Sequence, residues 1–221
     1  MENALVPELL RGRVFSFLIG YFLGCILTGE ITARVLTGKS ASEIGRSGNP
    51  GMANIMENLG FVPGICTLAG DLLKCIAAVF LARRWFSGSI GDAAALYAAA
   101  GCIVGHDYPF WRKFNGGKGV ASSCIGFFLI EPLSGAVSVL SGLAVVLFTK
   151  YLCLGGAAIP VVFTLLLVLE GHMEKAAVIG LIAVISVTKH SDILLIPGGT
   201  CPKTDVPAAI RKKFGRKNVQ K

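Results

Sequence analysis

Three stretches of the 221-residue chain combine glycine with residue types that hold anions. The first reads Ser47-Gly48-Asn49-Pro50-Gly51-Met52-Ala53-Asn54. Glycines let successive backbone N–H groups turn toward one point, and Ser and Asn side chains add donors, so the segment can form a nest for an anion. A helix beginning near Asn54 would bring its positive dipole end to the same place. The same residue types are also the commonest turn formers, which leaves an ordinary connecting loop as the alternative.

The second stretch runs from Gly105-His106-Asp107-Tyr108-Pro109 through Phe110-Trp111-Arg112-Lys113-Phe114-Asn115 to Gly116-Gly117-Lys118-Gly119. Two glycines before a lysine, at the mouth of a helix, combine a flexible cradle with an ammonium point charge, the ingredients of a phosphate site. It is not a Walker A motif, because the upstream glycine spacing and the Ser or Thr after the lysine are missing. Tyr108, Phe110, Trp111 and Phe114 fit an interfacial aromatic belt as well as a site wall. The third stretch holds Lys189-His190-Ser191-Asp192 and Gly198-Gly199-Thr200-Cys201-Pro202-Lys203. A histidine just past a helix end can act as a general base or simply be solvated. Asp71 and Lys74 are three residues apart inside an apolar run, so they share a helical face and can pair. Ionisable groups at that depth mark either a site or a structural ion pair.

The elements that must position these loops are membrane helices. Hydrophobic residues make up 53% of the chain and charged residues 15%, and the mean hydropathy is +0.69, too apolar for an ordinary soluble domain. A helix needs about 20 apolar residues to cross the hydrocarbon, with shorter ones tolerated in the interior. Seven helices are predicted, at about 14 to 36, 59 to 82, 91 to 105, 119 to 130, 132 to 149, 153 to 169 and 175 to 188. The expected fold is an all-α membrane protein, a compact bundle of about seven transmembrane helices with short interfacial or re-entrant loops. Residues 1–203 form one membrane domain and 204–221 a basic cytoplasmic tail. Abundant Gly and Ala in the spans let backbones approach closely. The apolar run after Arg11 and Arg13 is too long for a signal peptide and lacks a cleavage site near its end, so it reads as a retained span.

A net charge of +8 does not point to nucleic acid, since no fingerprint of a nucleic-acid fold accompanies it. It points to orientation. With the amino terminus outside, the inward segments carry fifteen Lys and Arg residues, seven of them in the last 19 residues, against five on the outer side. All three glycine-bearing loops then fall on the cytoplasmic face, at 37–58, 106–118 and 189–203. Six of the seven cysteines, Cys25, Cys66, Cys75, Cys102, Cys124 and Cys153, lie in apolar stretches and read as small core residues with free thiols.

On these residues the chain resembles the bacterial acyl-phosphate:glycerol-3-phosphate acyltransferases of the PlsY family, over about residues 14 to 203. Ser-Gly-Asn-x-Gly-x-x-Asn is similar to that family's first motif, and Gly105 to Ala121 to its second. Asp71-x-x-Lys74 and Thr149-Lys150-Tyr151 to Gly155 also match. The resemblance implies transfer of a fatty acyl group from acyl phosphate to glycerol 3-phosphate, forming lysophosphatidic acid. It implies catalytic roles for Ser47, Asn49, Lys118 and His190. Gly48, Gly51 and Asn54 would complete the glycerol 3-phosphate site, and Gly116, Gly117 and Gly119 the acyl phosphate site. His106 and Lys113 match the second motif.

Several positions depart from the family pattern. Glu57 stands where the family has arginine, with Arg46 next to Ser47 as a compensating charge. Asn115 replaces a lysine. In the third motif, ungapped alignment from Gly199-Thr200 puts Cys201 at the glutamate, Leu195 at the arginine, Asp192 at the asparagine and Lys189 at the histidine, and a one-residue gap restores His190. Two other readings remain: a catalytically impaired paralogue that binds lipid phosphates or a partner, and a small transporter with Asp71 and Lys74 on its pathway. The expectations are therefore a monomeric acyltransferase of the bacterial plasma membrane, with no cofactor or metal, whose partners are its two phosphate substrates and lipid.

Overall fold

The computed structural model describes residues 2–204, with side chains from residue 6 onward. The predicted basic tail, apart from Thr204, lies outside the described residues. Nine α-helices occur among them: α1 (Glu2–Gly24), α2 (Thr28–Thr37), α3 (Met52–Leu59), α4 (Phe61–Ile90), α5 (Ala93–Asp107), α6 (Val120–Ile130), α7 (Pro132–Thr149), α8 (Leu152–Leu169) and α9 (Met173–Lys189). Short 3-10 turns occupy Ala41–Glu43, Phe110–Arg112 and Ser191–Leu195.

Eight of these make up the seven predicted spans, with α1 and α2 together making the first and α3 standing apart. Four segments are long and apolar enough to cross a membrane by themselves: Val6–Thr37, Phe61–Ile90, Pro132–Thr149 and Leu152–Leu169. Helix α5, with 15 residues, is shorter than a full crossing. It sits at the centre, buried from Ala94 to Leu96 and from Ala98 to Ile103, so neighbouring helices and not lipid surround it. Large apolar side chains such as Phe148, Leu169 and Leu133 face outward, the reverse of a soluble protein.

Small residues set the packing. Added side-chain atoms at Gly20 and Gly24 would strike the backbone of Ala98 and Cys102, and at Gly101 and Gly105 the backbone of Phe17 and Tyr21. Helices α1 and α5 therefore approach backbone to backbone, the way helices associate where lipid removes the hydrophobic driving force. Phe127 and Phe163 stack at 4.4 Å across α6 and α8. A smaller apolar cluster of Ala33, Ala41, Ile44 and Ile55 seats the first loop between α2 and α3.

Three differences from the sequence reading have physical causes. The predicted span 14 to 36 starts earlier and is broken at residues 25–27, where Lys74 donates to the carbonyls of Gly24, the last residue of α1, and of Ile26 in the break. Helix α4 continues past residue 82 to Ile90 because Arg83 and Arg84 end the apolar run without ending the helix; arginine is a good helix former. The helix beside the first loop is the separate α3, which starts at Met52 and stops at Gly60, with φ +106.

The connections alternate between two ends. At one end lie the α2–α3 loop, the α5–α6 loop, the α7–α8 turn and the segment after α9. Arg112 to Glu30, Lys118 to Asp192, and Thr204 N–H to the Lys150 carbonyl at 2.7 Å join them. At the other end Arg13 meets Glu174 at 2.9 Å, and Glu131 holds Lys175.

Candidate active site

Glu30 is the anchor of the first loop. It is 1% exposed and accepts from Ala41 N–H at 2.9 Å, Ser40 Oγ at 3.1 Å and Arg34 Nε at 2.6 Å. The Arg112 guanidinium, from the second loop, stands 3.5 Å from the same carboxylate and donates to Ser40 Oγ at 3.2 Å. A buried carboxylate is stable only when its lone pairs are filled this way. The sequence reading missed both residues; the available signal was a glutamate inside the first apolar run.

Asn54 is buried and fixes the base of that loop. Its Nδ2 donates to the Ile44 carbonyl at 3.0 Å, and its Oδ1 accepts from Asn58 Nδ2 at 3.1 Å. Above it, Asn49 N–H faces Ser47 Oγ at 3.4 Å, Gly48 backs onto the Ser42 carbonyl, and the Asn49 amide packs against Gly51. Gly51 caps α3, so the first-turn N–H groups of that helix adjoin the Ser47–Asn49 tip. Arg46 and Glu57 are exposed.

The second loop rests on a buried ionic cluster. Lys74 Nζ donates to the carbonyls of Gly24 at 3.2 Å and Ile26 at 2.8 Å, lies 2.9 Å from Asp71 Oδ1, and meets His106 Nδ1 at 2.6 Å. An ammonium has no acceptor, so Nδ1 is the unprotonated nitrogen and Nε2 carries the hydrogen. Asp71 and Lys74 thus pair as the spacing predicts, with His106 as their third member. His106 Nε2 abuts Gly117 so closely that any side chain there would collide with the ring. The His106 and Asp107 carbonyls accept from Gly117 N–H at 2.9 Å and Gly116 N–H at 3.0 Å. Both glycines are therefore held by the end of α5. Tyr21 Oη donates to the Tyr108 carbonyl at 2.9 Å and Trp111 Nε1 to the Cys25 carbonyl at 2.8 Å, so the side chains of Tyr21 and Trp111 tie the loop down, while the rings of Phe110, Trp111 and Phe114 stay exposed.

Gly119, at φ +62, caps α6, a conformation that disfavours side chains. The buried Asp107 carboxyl group faces it and has no hydrogen-bond partner among the described residues. Lys113 and Phe114 also have positive φ, 52° and 59°, which costs energy in residues with a Cβ. Lys113 is exposed.

Lys118 meets Asp192 in the third loop, and both side chains keep solvent access, 24% and 38%. His190 is 1% exposed. Its Nδ1 lies 2.7 Å from the Ser186 carbonyl, and its Nε2 points at Gly156. Burial pushes its pKa below the ordinary histidine value, and the nearby Lys118 charge acts the same way. Ser47, Gly48, Asn49, Gly51 and Asn54 form one group; Gly116, Gly117, Lys118 and Gly119 form another, backed by His106 and facing Asp192. The second loop spans both, through Arg112 to the first loop and Lys118 to the third. Among the described residues no group of three His, Cys, Asp or Glu side chains is placed to hold a metal ion.

Apolar helices with polar, glycine-bearing loops gathered at one end are the architecture of an integral membrane protein with a candidate site on one face. A family model described as glycerol-3-phosphate acyltransferase matches residues 14–194. Glycerol-3-phosphate acyltransferase 1 of Lactobacillus johnsonii is 32% identical over 201 residues, 90% of this chain and 96% of that protein. Glycerol-3-phosphate acyltransferase of Thermotoga petrophila is 35% identical over 176 residues, 79% of this chain and 87% of that protein. The crystal structure of PlsY (YgiH), an integral membrane glycerol 3-phosphate acyltransferase in its glycerol 3-phosphate form, superposes with a TM-score of 0.75 at 26% identity, covering 90% of this chain and 98% of that one. Its lysophosphatidic acid form gives 0.70 at 25% identity, covering 86% and 94%. The chain belongs to the glycerol-3-phosphate acyltransferase family and is a membrane acyltransferase of phospholipid synthesis.

Proposed function

We propose that the chain transfers a fatty acyl group from acyl phosphate to the 1-hydroxyl of glycerol 3-phosphate, giving lysophosphatidic acid and inorganic phosphate. The observation that carries this reading is Lys118, an ammonium beside the N-terminus of α6 on a two-glycine cradle, held by a solvent-accessible carboxylate that an incoming phosphate can displace. Support for the acceptor and product comes from the related PlsY, solved in glycerol 3-phosphate and lysophosphatidic acid forms.

The acceptor hydroxyl oxygen attacks the acyl carbonyl carbon, the bond from that carbon to the phosphate oxygen breaks, and the hydroxyl proton ends on a phosphate oxygen. Acyl phosphate is already activated, so the protein's task is to orient the two substrates and stabilise developing negative charge. Lys118 and the backbone of Gly116, Gly117 and Gly119 hold the acyl phosphate. Ser47, Gly48, Asn49 and Gly51 hold glycerol 3-phosphate, with Arg46 supplying charge at the rim and Lys113 serving the phosphate cradle. His106 acts from behind by holding Gly117. Asn54 shapes the first loop. His190, buried against Ser186 and Gly156, is the catalytic candidate of the third loop. The protein acts as a monomer without a cofactor, as one domain over residues 1–203, in the bacterial plasma membrane with the site and the basic tail cytoplasmic.

Purified protein incubated with palmitoyl phosphate and glycerol 3-phosphate should release lysophosphatidic acid and phosphate in equal amounts. Absence of both products, with glycerol 3-phosphate and with other polyols, overturns the reading.

A further inference from the structure

Cys201 stands in the third loop where the family pattern has glutamate, and acyl transfer assigns it no task. In the structure its Sγ lies 3.6 Å from Sγ of Cys153 at the start of α8, and both residues are only 6% exposed. The pair is 48 residues apart in sequence and joins two segments stitched together elsewhere. Thr204 N–H donates to the Lys150 carbonyl at 2.7 Å, and Lys203 Nζ lies 5.7 Å from the Tyr151 ring centre. The same loop carries Asp192, the partner of Lys118.

We infer that Cys153 and Cys201 form a redox modification site, a dithiol that peroxide converts to a disulfide and so fixes the third loop to α8. One thiol, reacting as its thiolate, attacks a peroxide oxygen; the O–O bond breaks, water leaves and a sulfenic acid forms. The second sulfur attacks the first, the S–O bond breaks, and a second water leaves with the S–S bond formed. Two thiols and one hydrogen peroxide thus give one disulfide and two waters. A disulfide needs sulfur atoms about 2 Å apart, so oxidation draws Cys201 toward α8, and the loop bearing Asp192 with it. The inference rests on the proposed site only for its effect on turnover; the cross-link itself stands without it.

The test treats detergent-purified full-length protein with hydrogen peroxide, then alkylates, digests and maps the peptides. The expected result is a cross-linked peptide joining Cys153 and Cys201, two mass units lighter than the reduced pair, and abolished in Cys201→Ser and in Cys153→Ser. Acyl transfer should fall at least two-fold on oxidation and recover with dithiothreitol, while both serine variants keep their activity through the peroxide treatment. Absence of the cross-link in wild type, or its occurrence only between the buried neighbours Cys75 and Cys102, overturns the site. A cross-link that leaves turnover unchanged overturns its control of the loop.

Discussion

In the proposed reaction Lys118 is the residue on which the chemistry turns, because it is the charged group of the glycine cradle and its present partner is a carboxylate. Removing the ammonium in Lys118→Ala should lower kcat/KM for acyl transfer by about 10²-fold or more, in line with loss of a transition-state charge donor; a variant with full activity removes lysine from the site. Asp192→Asn has the opposite expectation. A solvent-accessible pair contributes up to about 1 kcal/mol, so freeing Lys118 should lower the KM for the phosphate substrate by roughly five-fold, and a raised KM would show that the carboxylate assists binding. His190 gives a pH signature. Its pKa is depressed in the fold, so the unfolded chain binds the extra proton first as pH falls, and stability declines once pH drops below about 6.5. The melting temperature of wild type should therefore fall between pH 7.5 and 5.5, and less so in His190→Gln; equal falls in both proteins would reject His190 as the cause. Glycine spacing and the lone lysine marked these residues in the sequence, and the structure gathers Gly116, Gly117, Lys118 and Gly119 into one group beside Asp192. That His190 is buried was not legible there, because it depends on Gly156 of α8 leaving room for the ring.

Among the elements, α4 does most to connect the site to the bundle, since Lys74 reaches α1 across the break and α5 through His106. Lys74→Met leaves Asp71 as an uncompensated buried charge and should destabilise the protein by about 3 to 5 kcal/mol. The double variant Asp71→Leu, Lys74→Met should recover much of that loss, and a double variant as unstable as the single one would mean that capping the broken helix, not charge balance, is the main role. Apolar run length made all seven spans legible. The break at residues 25–27 was hidden because Cys25, Ile26 and Leu27 are as apolar as their neighbours; its cause is a lysine 48 residues further on. Helix α3 was hidden for a different reason, being short and folded into a segment rich in turn formers. Spacing marked Asp71 and Lys74 as a pair, but only packing supplies the histidine between them and the glycine loop.

For the molecule as a whole, the alternation of connections puts every candidate site loop at one end, the end that the proposed orientation turns to the cytoplasm. In right-side-out membrane vesicles of a Cys66→Ser background, an impermeant maleimide should label Asp92→Cys, in the α4–α5 turn, and spare Ser42→Cys, in the first loop. The reverse pattern would invert the topology. The capped break in the first span carries a further consequence, for biogenesis. The carbonyls of Gly24 and Ile26 enter the membrane early in synthesis, but the ammonium that satisfies them arrives with α4, and the imidazole that steadies that ammonium arrives only at the end of α5. Until Lys74 has been inserted, two polar backbone groups lie unsealed within the bilayer, so the first two spans must assemble together, and α5 then sets the second loop in place on the same lysine.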